Sequence, residues 1–297
     1  MCGGWSPLRR ALVIVAVAAV AQSGLGQNCT VSTIVRLLDK HGRPPRSLAA
    51  DQLKAEIGGS PAKVSSLSPT SKPTVILMLD ASGSLSATWD ESISMARELA
   101  GKVGDEIAVF VFGEDFQDRA IGLTETEKLL DRWSTKTPKG GTAVFDALIK
   151  TAGRVTDRNT AFIVISDGND NASTHTSDQT VSLFLRSSWP PVFGFIHGCD
   201  RRKTLCGHFE KIPDQTGGFV AYPSSPSEVP AAAEELATVV LSPLVLTLQS
   251  PRPITKTAKL KLEVIAPDGK PRDDIQALHA AEVTSCDTAP VTSTSQK

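Results

Sequence analysis

The sequence predicts an α/β protein: a mainly parallel sheet covered by helices, with a small β-rich region built from the N- and C-terminal segments. Three observations carry this. Apolar runs of strand length recur at residues 74–79, 106–112, 162–165 and 191–196. They are continuous rather than alternating, as strands buried on both faces require. Segments with helical spacing lie between them, the arrangement that yields parallel strands under helices. Short β-type runs at 31–38, 244–248 and 258–264 sit at opposite ends of the chain. Each is too small to bury a face alone, which predicts that they combine.

In chain order, residues 1–26 read as a secretory signal. Arg9 and Arg10 form the basic region, residues 11–21 an apolar stretch too short for a typical membrane span, and Ala19-Val20-Ala21 a cleavage site. Cleavage near residue 21 to 26 predicts a secreted or periplasmic protein. Residues 27–71 hold a strand at 31–38, a turn at 39–44, a short helix at 47–53 capped by Ser47, and a Ser/Pro-rich linker from residue 60.

Residues 72–241 form the main domain. Trp89, Ile93, Ala96, Ala100 and Val103 recur at spacings of three and four, a stripe that faces a core. Trp89 is read as packing rather than as a ligand contact. Helices are also predicted at 124–133, 142–155 and 227–241, the last begun by Ser227 and Pro230, with a last short strand at 218–222. Residues 242–283 return to β structure, with a turn at 267–271. The Ser/Thr-rich end, 284–297, is predicted to be disordered.

Of 297 residues, 40% are hydrophobic and 21% charged, and the net charge is -1. This is a globular balance without a strongly basic face, which argues against a nucleic-acid partner. Nothing after the signal is long and apolar enough to span a membrane. With Cys2 in the signal, Cys29, Cys199, Cys206 and Cys286 remain, an even number that suits disulfides in an oxidising compartment. Cys199 and Cys206 bracket a short polar loop and can close it. Cys29 and Cys286 can then join the two ends. The competing reading is a zinc site at His197, Cys199, Cys206 and His208. The sequons at Asn28 and Asn171 are read as chance matches.

Chemistry concentrates where the first buried strand ends. Asp80-Ala-Ser82-Gly-Ser84 places one carboxylate and two hydroxyls at alternate positions, with Gly83 allowing a sharp bend. Hard divalent cations take oxygen ligands and retain waters, so such a loop binds an ion without saturating it. Gly140-Gly141-Thr142 adds a hydroxyl at the start of a helix. Ser166-Asp167-Gly168 ends a second buried strand with another carboxylate.

This set resembles the von Willebrand factor type A (VWA) domain and its metal-ion-dependent adhesion site, over residues 72–241. The flanking segments are similar, more loosely, to exported bacterial members. The resemblance implies a doubly wound, Rossmann-like sheet flanked by helices. It implies that Asp80, Ser82, Ser84, Thr142 and Asp167 hold Mg2+, or Mn2+ or Ca2+. It implies a non-enzymatic module for adhesion or interaction, whose cation accepts an Asp or Glu carboxylate of a protein partner. Residues 85–90, 135–141 and 169–176 would supply specificity, with Asp170 and His175 as exposed candidates.

Two other classes stay open. A metal-dependent hydrolase, phosphatase-like, would polarise a phosphoryl oxygen. However, Ser82 stands where the haloacid-dehalogenase type needs a second acid, and no G-x-S-x-G elbow is present. A structural envelope protein with a vestigial site is the third.

Overall fold

The computed structural model describes residues 29–45, 48–196, 207–223, 225–254 and 257–286. The signal region and residues 197–206, with His197, Cys199 and Cys206, lie outside them. In chain order the elements are β1 (Cys29–Asp39), β2 (Leu53–Ile57), β3 (Ser60–Pro69), β4 (Thr74–Asp80), α1 (Trp89–Val103), β5 (Ile107–Phe112), β6 (Phe116–Ile121) and α2 (Leu123–Ser134). Then come α3 (Val144–Ala152), β7 (Thr160–Ser166), α4 (Ser177–Ser187), β8 (Val192–Ile196), α5 (Gly207–Thr216), β9 (Val220–Ala221) and α6 (Val229–Val240). The chain closes with β10 (Leu244–Ser250), β11 (Ala258–Val264), β12 (Ile275–His279) and β13 (Glu282–Val283).

The strands form two sheets. The central one runs β6-β5-β4-β7-β8-β9, parallel except for the antiparallel edge β6. Its inner strands β4, β5, β7 and β8 are almost wholly apolar because both faces are covered, whereas the edge strand β6 carries Gln117, Asp118 and Arg119. Along β4, Val75, Leu77 and Leu79 join the core under α1, α2 and α6, whereas Ile76 and Met78 join the core under α3, α4 and α5. The expected stripe of α1 is buried from Trp89 to Val103. Trp89 packs edge-on against Trp133, 6.2 Å between centroids, and donates its indole N–H to the Trp133 carbonyl at 2.8 Å. It is a core residue. This is the doubly wound α/β arrangement.

From β4 the chain moves to β5 on one side, then returns to β7 on the other. The switch point therefore lies between the carboxyl ends of β4 and β7, where such sheets leave a crevice.

The second sheet has the order β12-β1-β10-β3-β2-β11-β13. The two chain ends do combine: β1 pairs antiparallel with β10 and β12, and β11 with β2. Cys29 and Cys286 are joined by a disulfide.

Several expectations need correction. The helix placed at 47–53 is one 3-10 turn, Ala50–Gln52, because Leu53 already belongs to β2, and Ser47 lies outside the described residues. The 60–72 linker is strand β3. Its Ser/Pro composition hides this, since β3 meets β2 only through Ser60–Ala62 and β10 only through Lys63–Pro69. The helix placed at 142–155 is shorter, Val144–Ala152. The tail does not begin at 284, because Cys286 is bonded and Thr284 shares a hydrogen bond with Ser188. Helices α4 and α5 and strands β2, β6, β12 and β13 lie outside the elements the sequence predicts. The β region, with seven strands, is larger than the small one predicted.

Candidate functional site

Asp80 is the last residue of β4, and the pairing of Leu79 with Ile165 brings it beside Ser166, the last residue of β7. Asp167 follows at once. The two carboxylates thus leave adjacent parallel strands at the switch point.

Asp80 is fully buried and held on both oxygens. The Ser82 amide donates to Oδ1 at 2.9 Å, and the Ser166 hydroxyl donates to Oδ2 at 2.7 Å. Burial pushes its pKa up to about 6, and the nearby Asp167 adds to the shift, against the lowering effect of these hydrogen bonds. Asp167 is also buried. It accepts the Asn169 amide at 3.0 Å and the Asn169 side-chain N–H at 3.2 Å. Neither carboxylate makes an ion pair among the described residues. Two acids are thus held near each other out of water without a basic side chain paired to either among the described residues, an arrangement that costs free energy.

Ser82 starts a 3-10 turn, Gly83–Thr88, and its hydroxyl lies 3.1 Å from that of Ser84. Ser82 is buried and Ser84 exposed, so the group opens to solvent at Ser84.

Thr142 reaches the same face because backbone bonds sew three loops together. The Gly83 amide donates to the Gly140 carbonyl at 3.0 Å and the Lys139 amide to the Ala81 carbonyl at 3.2 Å. The Asn171 and Ala172 amides both donate to the Thr142 carbonyl. Thr142 in turn donates its amide to Asn171 Oδ1 at 2.8 Å, while its hydroxyl makes no hydrogen bond among the described residues. Two glycines permit this approach. Gly140 has φ +87°, and a Cβ on Gly141 would come within 2.9 Å of Asn171 Oδ1. Glu114 holds the Gly141 amide at 2.9 Å.

Asp170 and His175 are not free for a ligand. Asp170 accepts the Phe145 amide at 3.0 Å, in the first turn of α3, and also the amide and hydroxyl of Ser173. His175 lies 2.7 Å from Asp146. Both brace the loop that carries Asn171. Sequence reasoning missed Ser166, Glu114 and Asn171 as positioning residues. Ser166 alone had a local signal, since it stands next to Asp167 at a strand end.

The loops that meet here carry two carboxylates and three hydroxyls, oxygen donors of the type a hard divalent cation takes. Among the described residues no group of three or more His, Cys, Asp or Glu side chains could hold a metal ion. Of the zinc alternative only His208 is described, exposed in the first turn of α5. No helix among the described residues is long and apolar enough to cross a membrane.

Residues 44–189, a little under half of the chain, match the family model for a VWA domain containing CoxE-like protein. No curated protein matches the chain. Solved structures similar to it include proximal thread matrix protein 1 from the mussel byssus, at 16% identity and TM-score 0.45, covering 59% of this chain and 49% of that one. This chain therefore spans about half the length of the mussel protein. A von Willebrand factor type A protein from Catenulispora acidiphila is 14% identical, with TM-score 0.44 over 89% of this chain and 75% of that one. Manganese-loaded TRAP protein of Plasmodium vivax is 14% identical, with TM-score 0.42 over 76% of this chain and 97% of that one.

Proposed function

We propose that the chain carries a VWA domain and is an exported protein-interaction module that works through a divalent cation. Asp80, Ser82, Ser84, Thr142 and Asp167 would hold the ion, Mg2+ being the first choice and Mn2+ or Ca2+ the alternatives. The ion would keep one position open for a carboxylate of an Asp or Glu presented by a protein partner. The bound cation supplies positive charge and an electrophilic acceptor for that oxygen.

One observation carries the reading: a buried carboxylate, Asp80, has the Asp167 carboxylate near it, and neither is paired with a Lys, Arg or His side chain among the described residues. A divalent ion would relieve that repulsion. The exposed Ser84 hydroxyl and the unengaged Thr142 hydroxyl would supply the neutral oxygens that a partially solvated ion needs. The backbone bonds among the three loops would hold this geometry before the ion arrives. Ser166 and Asn171 act as positioning residues: the first orients Asp80, the second fixes the Thr142 loop.

Export rests on the basic, apolar and A-x-A sequence of residues 1–26. The Cys29–Cys286 bond suits an oxidising compartment.

Calorimetric titration with Mg2+ and Mn2+, followed by capture of partners with and without EDTA, tests the function. Saturable binding of one ion and EDTA-sensitive capture are expected. If neither metal binds, or if capture ignores EDTA, the adhesion-site reading fails even though the fold stands.

A further inference from the structure

A cavity of about 380 Å³ lies between the seven-stranded sheet and the helical unit. It sits at the opposite end of the parallel strands from Asp80. Ser71 precedes β4, and Arg158 and Asn159 precede β7, so these residues reach it from the amino ends of those strands.

Its walls follow from strand alternation. Val31 and Val35 belong to the core of the β sheet, so Ser32 and Ile34 between them face the helical unit. Val245 is paired with Ile34 and shares that face. Opposite stand Phe184 and Trp189, edge-to-face with centroids 5.1 Å apart. The surface is predominantly apolar and the volume falls in the range of small-molecule sites, roughly 300–1,000 Å³. It is far larger than one water requires, and apolar walls give water few partners.

The disulfide joins two stretches that line the cavity. Residues 31–34 follow Cys29 directly, and residues 282–285 lead directly to Cys286, and both stretches line it. Two charges lie on its border. Arg158 is exposed and makes no hydrogen bond or ion pair among the described residues. Glu282 enters from β13.

We propose that this cavity is a binding site for a small molecule with an apolar body and a single anionic group. The body would lie between Trp189, Phe184 and Ile34, and the anion would meet Arg158. A guanidinium takes a carboxylate or sulfonate with two charge-assisted hydrogen bonds. Glu282 would disfavour a second acidic group. This site is independent of the metal reading, since no residue is shared.

The test is a fluorescence titration of the full chain with anilinonaphthalenesulfonate in EDTA, with decanoate as competitor. We expect saturable one-site binding that decanoate displaces. Arg158→Gln, at an exposed position, should weaken it about three- to tenfold. Ser32→Trp should fill the cavity and abolish it, with the circular dichroism spectrum and melting curve retained. Absence of saturable binding overturns the proposal, as does binding that neither variant changes. Binding lost in Ser32→Trp but unaltered in Arg158→Gln overturns the anionic class. If Ser32→Trp does not fold, Arg158→Gln decides alone.

Discussion

Arg36 of β1 donates its Nε–H to the Val239 carbonyl at 3.0 Å and an Nη2–H to the Val240 carbonyl at 3.2 Å, so a buried cation ties the β sheet to the last turn of α6. Its guanidinium also lies 5.0 Å from the Phe193 ring centroid. Desolvation pulls its pKa down to about 10, which still leaves it charged at neutral pH. The carbonyls at a helix C-terminus and an aromatic face take the place of a carboxylate partner.

Arg36→Ala should therefore destabilise the protein by about 2–4 kcal/mol, because it opens a cavity and removes two charge-assisted hydrogen bonds to the end of α6. Arg36→Met should lose less, since it keeps most of the volume. Urea unfolding measures both. An alanine variant as stable as the wild type would show that the contact contributes nothing.

Asp80 predicts an unusual pH dependence for the protein in EDTA. Its folded pKa, about 6, lies above the unfolded value of 3.8. Between those values the native state holds the proton more often than the unfolded chain does. Stability therefore falls as pH rises through this window, and the full cost, on the order of 3 kcal/mol, is present above it. Asp80→Asn should remove that slope and be more stable than the wild type at pH 7 in EDTA. Mg2+ should stabilise only the wild type. A variant that is less stable without metal would contradict this account.

Partner binding gives the complementary prediction. Asp80→Ala should abolish metal-dependent binding while leaving the fold intact, because Ser82, Ser84 and Thr142 are neutral and cannot replace its charge. Affinity in Mg2+ that is unchanged by the mutation or by EDTA would reject the mechanism.

Asp170→Ala should lower stability by about 1 kcal/mol, since Asp170 accepts an amide of the first turn of α3. It should also weaken Mn2+ binding, through the loop that holds Thr142, rather than by removing a ligand. Thermal melts with calorimetry separate these effects. Lost metal affinity with no change in melting would instead mark Asp170 as a direct contact.

Replacing Cys29 or Cys286 by Ser should cost about 2–5 kcal/mol, because the bond closes a span of 257 residues. Peptide mapping without reductant should recover the Cys29–Cys286 pair. A free thiol at either position in protein isolated without reductant would count against the bond.

The sequence by itself determined the buried strands of the central sheet and the list of candidate ligands, but not its edge strand β6. Both are local: each buried strand is one apolar run, and Asp80 ends β4 with Ser82 and Ser84 following at a spacing that can be read directly. The stripe of α1 is legible for the same reason. Tertiary structure alone decided how these pieces meet. Strand β3 carries too few apolar residues to be recognised, and it becomes a strand only because β10 and β2 pair with it. β1 and β10 are far apart in the chain, and their register follows from long-range backbone bonds that no local pattern encodes. Ser166, Glu114 and Asn171 gain their roles the same way. A polar side chain acts on whatever the fold brings within about 3 Å, and one-dimensional spacing does not record that distance.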